Sequence, residues 1–77
     1  MVGKVRVMAR ALNMRSAPSL RGDVVGEVRK GTVLYVVDTS PKDKDGNGRQ
    51  AVEWAMIGDE IWVRVGRGWA EWVERYD

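Results

Sequence analysis

The chain has no cysteine and no histidine among its 77 residues. Without thiols there is neither a disulfide framework nor a thiolate metal site. Without imidazole it loses the commonest general base, the commonest transition-metal ligand and the usual pH switch near neutrality. Long apolar runs are also missing. The longest, Val33 to Val37, falls far short of the ~20 residues that span a bilayer, so no membrane association is expected. The N-terminal stretch Met1-Val2-Gly3-Lys4-Val5-Arg6-Val7 carries charges where a signal peptide needs unbroken apolar residues. That predicts a cytoplasmic protein or a virus-particle component, unless the chain is cut from an exported protein. A surplus of one charge sign is lacking too. Thirteen basic and 11 acidic residues leave a net charge of +2, a weak nucleic-acid signal, and the mixed order of signs suits a salt-laced surface. A chain this short holds one modest core and no deep catalytic cleft. One domain over residues 1–77, without a cofactor, is the expectation.

What is present is β-structure. Nine glycines punctuate short valine-rich runs, and no helical apolar stripe survives without a Gly or Pro inside it. Alternation predicts strands at Val5–Val7, Leu12–Met14, Thr32–Asp38, Val52–Ile57, Ile61–Val65 and Trp69–Val73. Residues 15–27 read as a long curled loop and residues 39–50 as a polar loop, with turns at Lys30-Gly31, Gly58-Asp59 and Gly66-Arg67-Gly68. Short strands with frequent turns make a small barrel or sandwich.

A two-residue loop fixes which residues of a hairpin face each other. With Gly58-Asp59 as that loop, Met56 meets Ile61, Trp54 meets Val63 and Glu53 meets Arg64 as a cross-strand charge pair. Val52, Trp54, Met56, Ile61, Val63 and Val65 then share the core face. Ala55, Ile57, Trp62 and Arg64 lie on the other, and the next turn brings Trp69 beside Arg64. In the strand from Thr32, Leu34 and Val36 point in, while Val33, Tyr35 and Val37 point out. Outward aromatics beside a cation are binding material, so Tyr35, Trp62, Arg64 and Trp69 are the candidate ligand-binding residues. The competing reading is that long loops fold over these rings as a satellite core. An exposed tryptophan pair can equally form a dimer or assembly interface.

Residues Leu12-Asn13-Met14-Arg15-Ser16-Ala17-Pro18-Ser19 combine a short strand with one buried face and immediate turn chemistry. With Gly26-Glu27-Val28, Gly31-Thr32-Val33-Leu34-Tyr35-Val36, Trp62-Val63-Arg64-Val65 and Gly68-Trp69-Ala70, this block resembles the bacterial SH3-like domain family in ordered pieces from Lys4 to Tyr76. Ala17 stands where the family usually has Gly, the polar stretch 39–50 is longer than its usual turn, and Trp72 is a further apolar addition. The resemblance implies an all-β, half-open barrel of about five to six short antiparallel strands and a ligand-binding module. Members often sit in cell-wall hydrolases and bind peptidoglycan peptides; others bind proteins. The implied groove lies beside loop residues 16–25 with Tyr35, Trp62 and Trp69. Asn13 and Arg15 match motif residues, but their chemistry is first that of loop-shaping. Asn bonds local backbone, and Arg satisfies carbonyls or a carboxylate such as Asp23.

Asp43-Lys44-Asp45-Gly46-Asn47-Gly48 matches the opening of a calcium loop, yet its twelfth position is Trp54 instead of the bidentate Glu and no helices flank it. A polar hairpin tip explains it better, so no metal is expected. Catalysis has no activated nucleophile to stand on, and Asp59 and Glu60 sit at a solvated tip. A non-catalytic module for a peptide or protein ligand, a cell-wall peptide among them, is the reading favoured. A structural or regulatory subunit, as in a phage particle or an inhibitor of a host protein, is the alternative. Nucleic-acid binding ranks last, because Glu53, Glu60 and Glu71 interleave with Arg64 and Arg67 where base stacking would want collected cations.

Overall fold

Val5 and Val7 alternate with Lys4 and Arg6, and this period of two makes a strand with one apolar face. The computed structural model, which describes residues 1–40, 43–44 and 51–76, forms β1 at Gly3–Val7. The strands that follow are β2 (Ala11–Arg15), β3 (Val24–Arg29), β4 (Val33–Val36), β5 (Asp38–Thr39), β6 (Asp43–Lys44), β7 (Ala51–Gly58), β8 (Ile61–Val65) and β9 (Ala70–Arg75). No helix occurs among the described residues. The run from Thr32 breaks at a bend on Val37, whose N–H donates to the Met56 carbonyl at 2.8 Å. That bend hands the chain from β4, paired with β1, to β5, paired with β7.

The pairings run round a curled sheet. β1 is antiparallel to β4 and β9, β7 is antiparallel to β5, β6 and β8, and β8 touches β9 at a single parallel bridge, Val65 to Ala70. The β2–β3 hairpin hangs on β8 through Arg15 opposite Trp62. This is the small SH3-like half-barrel that the sequence resemblance implied. Its core is Val5, Val7, Leu12, Val36, Ala55, Val63, Val65 and Ala70, with Leu34, Ile57, Trp69 and Trp72 packed against it. The largest fully buried side chains are all valines, each contributing about 1.5–3 kcal/mol of transfer free energy.

Two expectations need correction. Residues 24–27 are not loop: Val24-Val25-Gly26-Glu27 belong to β3, paired with β2. The β7–β8 register also slips by one from the expected pairing, with Glu53 opposite Val65, Trp54 opposite Arg64, Ala55 opposite Val63 and Met56 opposite Trp62. The connection turns at Asp59-Glu60, with Glu60 at a φ of 55° and an irregularity between Met56 and Gly58. The turn still has two residues; the extra residue at that irregularity is what sends the β7 side chains to the other face. Ala55 and Ile57 therefore face the core; Met56 shares the other face with Trp62 and Arg64, and Trp54, on that face by register, is nonetheless buried at 5% exposure. Glu53 has no cross-strand pairing with Arg64. Its carboxylate instead accepts from Trp72 Nε1 at 2.9 Å and from both terminal nitrogens of Arg75 at 2.9–3.0 Å.

Candidate functional site

Alternation on β8 sends Val63 and Val65 into the core and leaves Trp62 and Arg64 outside. Beyond β8 the chain turns tightly. Gly66 N–H donates to the Ala70 carbonyl at 2.9 Å, and Trp69 N–H donates to the Gly66 carbonyl at 3.0 Å. The turn swings the Trp69 ring back over the strand it has just left. A Cβ on Gly66 would stand 2.9 Å from that ring, inside any allowed carbon contact. Only glycine lets the indole lie this close.

The folded-back ring meets Arg64. The guanidinium carbon lies 3.7 Å from the centre of the Trp69 ring, a close cation–π stack. Arg64 is half-buried, and its Nε is buried with no hydrogen-bond partner among the described residues. Trp62, also half-buried, continues the row two residues earlier, opposite Met56 on one side and Arg15 on the other.

Arg15 carries the long loop. Its Nη1 donates to the carbonyls of Leu20 and Gly22, each at 3.0 Å. Ser16 and Asp23 close the loop's neck: Ser16 N–H donates to the Asp23 carbonyl at 2.9 Å, and Asp23 N–H to Ser16 Oγ at 3.1 Å. Asp23 thus acts through its backbone, and Arg15 takes carbonyls in place of the Asp23 carboxylate. Asn13 is exposed on β2 opposite Glu27 and makes no side-chain hydrogen bond among the described residues. The loop therefore starts beside Trp62, forming one wall of a shallow face whose floor is Met56, Trp62, Arg64 and Trp69.

Tyr35 lies elsewhere. It is 58% exposed on β4, opposite Lys4, whose ammonium is 5.9 Å from its ring. Lys4 also lies 3.5 Å from Glu74, and the Tyr76 hydroxyl donates to Glu74 Oε2 at 2.6 Å. That hydroxyl, then the Lys4 charge, holds the Glu74 carboxyl below its usual range, while the same bond pushes the Tyr76 phenol up. In the sheet, β9 and β1 lie between Tyr35 on β4 and β8. Of the candidate ligand residues, Arg64 and Trp69 touch, Trp62 shares their row, and Tyr35 sits apart.

Sequence reasoning missed Met56 because the irregularity between Met56 and Gly58 changes the face of β7, whereas moving the two-residue turn by one position alone would leave the faces as expected. Nothing in the residue types there signals a bulge. Trp72 is more than an added apolar group, since it packs on the core and tethers Glu53. An open depression of about 380 Å³ lies on the other side of the turn, lined by Val65, Gly66, Arg67, Ala70, Glu71 and Trp72. Among the described residues no three acidic side chains gather to hold a metal ion, and the calcium-like stretch 43–48 extends outside the described residues. The chemistry available at β8 is stacking and charge-assisted hydrogen bonding.

Comparison with curated proteins gives no match, and neither does comparison with solved structures. The family model of the bacterial SH3 domain matches residues 10–74, which take in both hairpins and the whole β8–Trp69 face, and the chain belongs to that family, whose members are in general non-catalytic protein-binding modules.

Proposed function

We propose that residues 1–77 act as one barrel domain, with the polar stretch 39–50 as an insertion whose Thr39 and Asp43–Lys44 pair with β7, that binds a peptide or protein segment on the Trp62–Arg64–Trp69 face. A cell-wall peptide is the ligand type this reading favours. The observation that carries it is the Arg64–Trp69 stack, at 3.7 Å, on the outside of the sheet. Arg15 and the loop it pins supply the neighbouring wall. Tyr35 falls outside this site.

Sedimentation with purified peptidoglycan tests the reading. Wild-type protein is expected in the pellet, with Trp62→Ala and Trp69→Ala shifting it to the supernatant. Wild-type protein remaining wholly soluble counts against a wall ligand.

A second reading, a subunit of an assembly, draws on another surface. Val33, Tyr35, Val37 and Tyr76 are each 41–58% exposed, and apolar side chains gathered on a surface mark interfaces. Sedimentation velocity over a concentration series checks it; a constant monomer at all concentrations excludes self-assembly.

A further inference from the structure

Three cations among the described residues are half-buried: Lys4, Arg15 and Arg64. Lys4 has the Glu74 carboxylate at 3.5 Å, and Arg15 has two backbone carbonyls at 3.0 Å. Arg64 has no oxygen partner among the described residues, and its Nε is buried without one. Partly desolvating a guanidinium and leaving a donor unmatched costs about 1–3 kcal/mol. Buried donors in folded proteins are as a rule matched, so an unmatched one calls for a partner.

The stack decides what can approach. A guanidinium lying over the Trp69 ring has one face closed and its Nε buried, so a ligand can reach it only through the terminal nitrogens, in its own plane. A planar fork of this kind matches a carboxylate, which can accept two parallel bonds. Partial burial strengthens such a bond relative to water. The charge around it limits the anion's size and number. Glu60 sits in the turn just before β8 and Glu71 two residues after Trp69, so a polymer of phosphates meets more repulsion than a single carboxylate does. From this we infer that the site recognises a peptide through a carboxylate, seated in the plane of the Arg64 guanidinium while the adjoining residues cover Trp62 and Trp69. This inference rests on the proposed ligand-binding role of the same face.

The test is an NMR titration with three short probes: acetyl-Ala-Ala with a free C-terminus, its C-terminal amide, and acetyl-Ala-Glu amide. The reporters are the Arg64 Nε–H and the indole N–H signals of Trp62 and Trp69. A charge-assisted bond predicts that a carboxylate probe binds about tenfold or more tightly than the neutral amide, and moves the Arg64 signal. The free C-terminus and the Glu side chain distinguish the two sources of carboxylate, and preference for either over the amide supports the inference. Arg64→Gln should abolish the preference. Arg64→Lys keeps the charge without the fork and guards against a misfolded Gln variant; it should reduce the preference to about threefold or less. Equal binding of acid and amide with a still Arg64 signal overturns the carboxylate inference while leaving the binding face intact. Trp62 and Trp69 signals unmoved by every probe overturn the face itself.

Discussion

At the scale of single residues, Gly66 decides the site. Adding a methyl there places a carbon 2.9 Å from the Trp69 ring, so the ring must move off Arg64. Gly66→Ala is therefore expected to weaken ligand binding several-fold, by roughly the 0.5–2 kcal/mol of a cation–π contact. Comparing its affinity with wild type by calorimetry checks this; unchanged affinity would mean the stack plays no part. Titration offers a second residue-scale prediction, on the far surface. The Tyr76 hydroxyl is the largest cause of the lowered Glu74 carboxyl. Phenylalanine cannot donate, so Tyr76→Phe should raise the Glu74 midpoint toward the ordinary carboxylate value, as followed by carbon-detected NMR. A lowered carboxyl supports the fold above its unfolded pKa and loses that support as pH falls through the lowered value. The raised Tyr76 phenol works in the other window: its support holds below the ordinary value of 10.0 and disappears as pH climbs past it.

Elements show where sequence reasoning succeeds and where it stops. Val63 and Val65 inside, Trp62 and Arg64 outside, follow from alternation on β8 alone, and so do Leu34 and Val36 facing in from β4. The motif blocks named the fold because each joins an apolar strand to turn residues at fixed distances. The β7 face was misread because strand pattern is ambiguous when both faces are apolar: Trp54 and Met56 compete with Ala55 and Ile57 for the core. Both faces end up covered there: Ala55 is fully buried among the valines, and Trp54 on the opposite side is only 5% exposed. The contact of Arg64 with Trp69 was legible only as neighbours on one face. The stack itself depends on the Gly66–Ala70 turn, which no periodicity encodes. Glu60, left-handed at 55°, provides the element-scale prediction. Glycine carries no Cβ penalty there, so Glu60→Gly should stabilise the hairpin by about 0.5–1 kcal/mol in chemical denaturation. A destabilised variant would contradict the turn described.

For the molecule as a whole, the curled sheet assigns different work to its two sides. The inner side is a core of small side chains, with valines as its largest fully buried members. Such a core fixes strand positions, and the aromatic side chains beside cations lie on the outer surface. That surface carries two aromatic groups on separate strands: Trp62 and Trp69 with Arg64 near the long loop, and Tyr35 with Tyr76 around Lys4 and Glu74. The central claim is that the first is the ligand site. The chain's four tryptophans make this directly observable, because each indole N–H gives its own NMR signal. Titration with soluble peptidoglycan fragments should shift the Trp62 and Trp69 indole signals and leave Trp72, whose Nε1 donates to Glu53, in place. Shifts confined to Trp72, or to the amides of Tyr35 and Tyr76, would contradict the account.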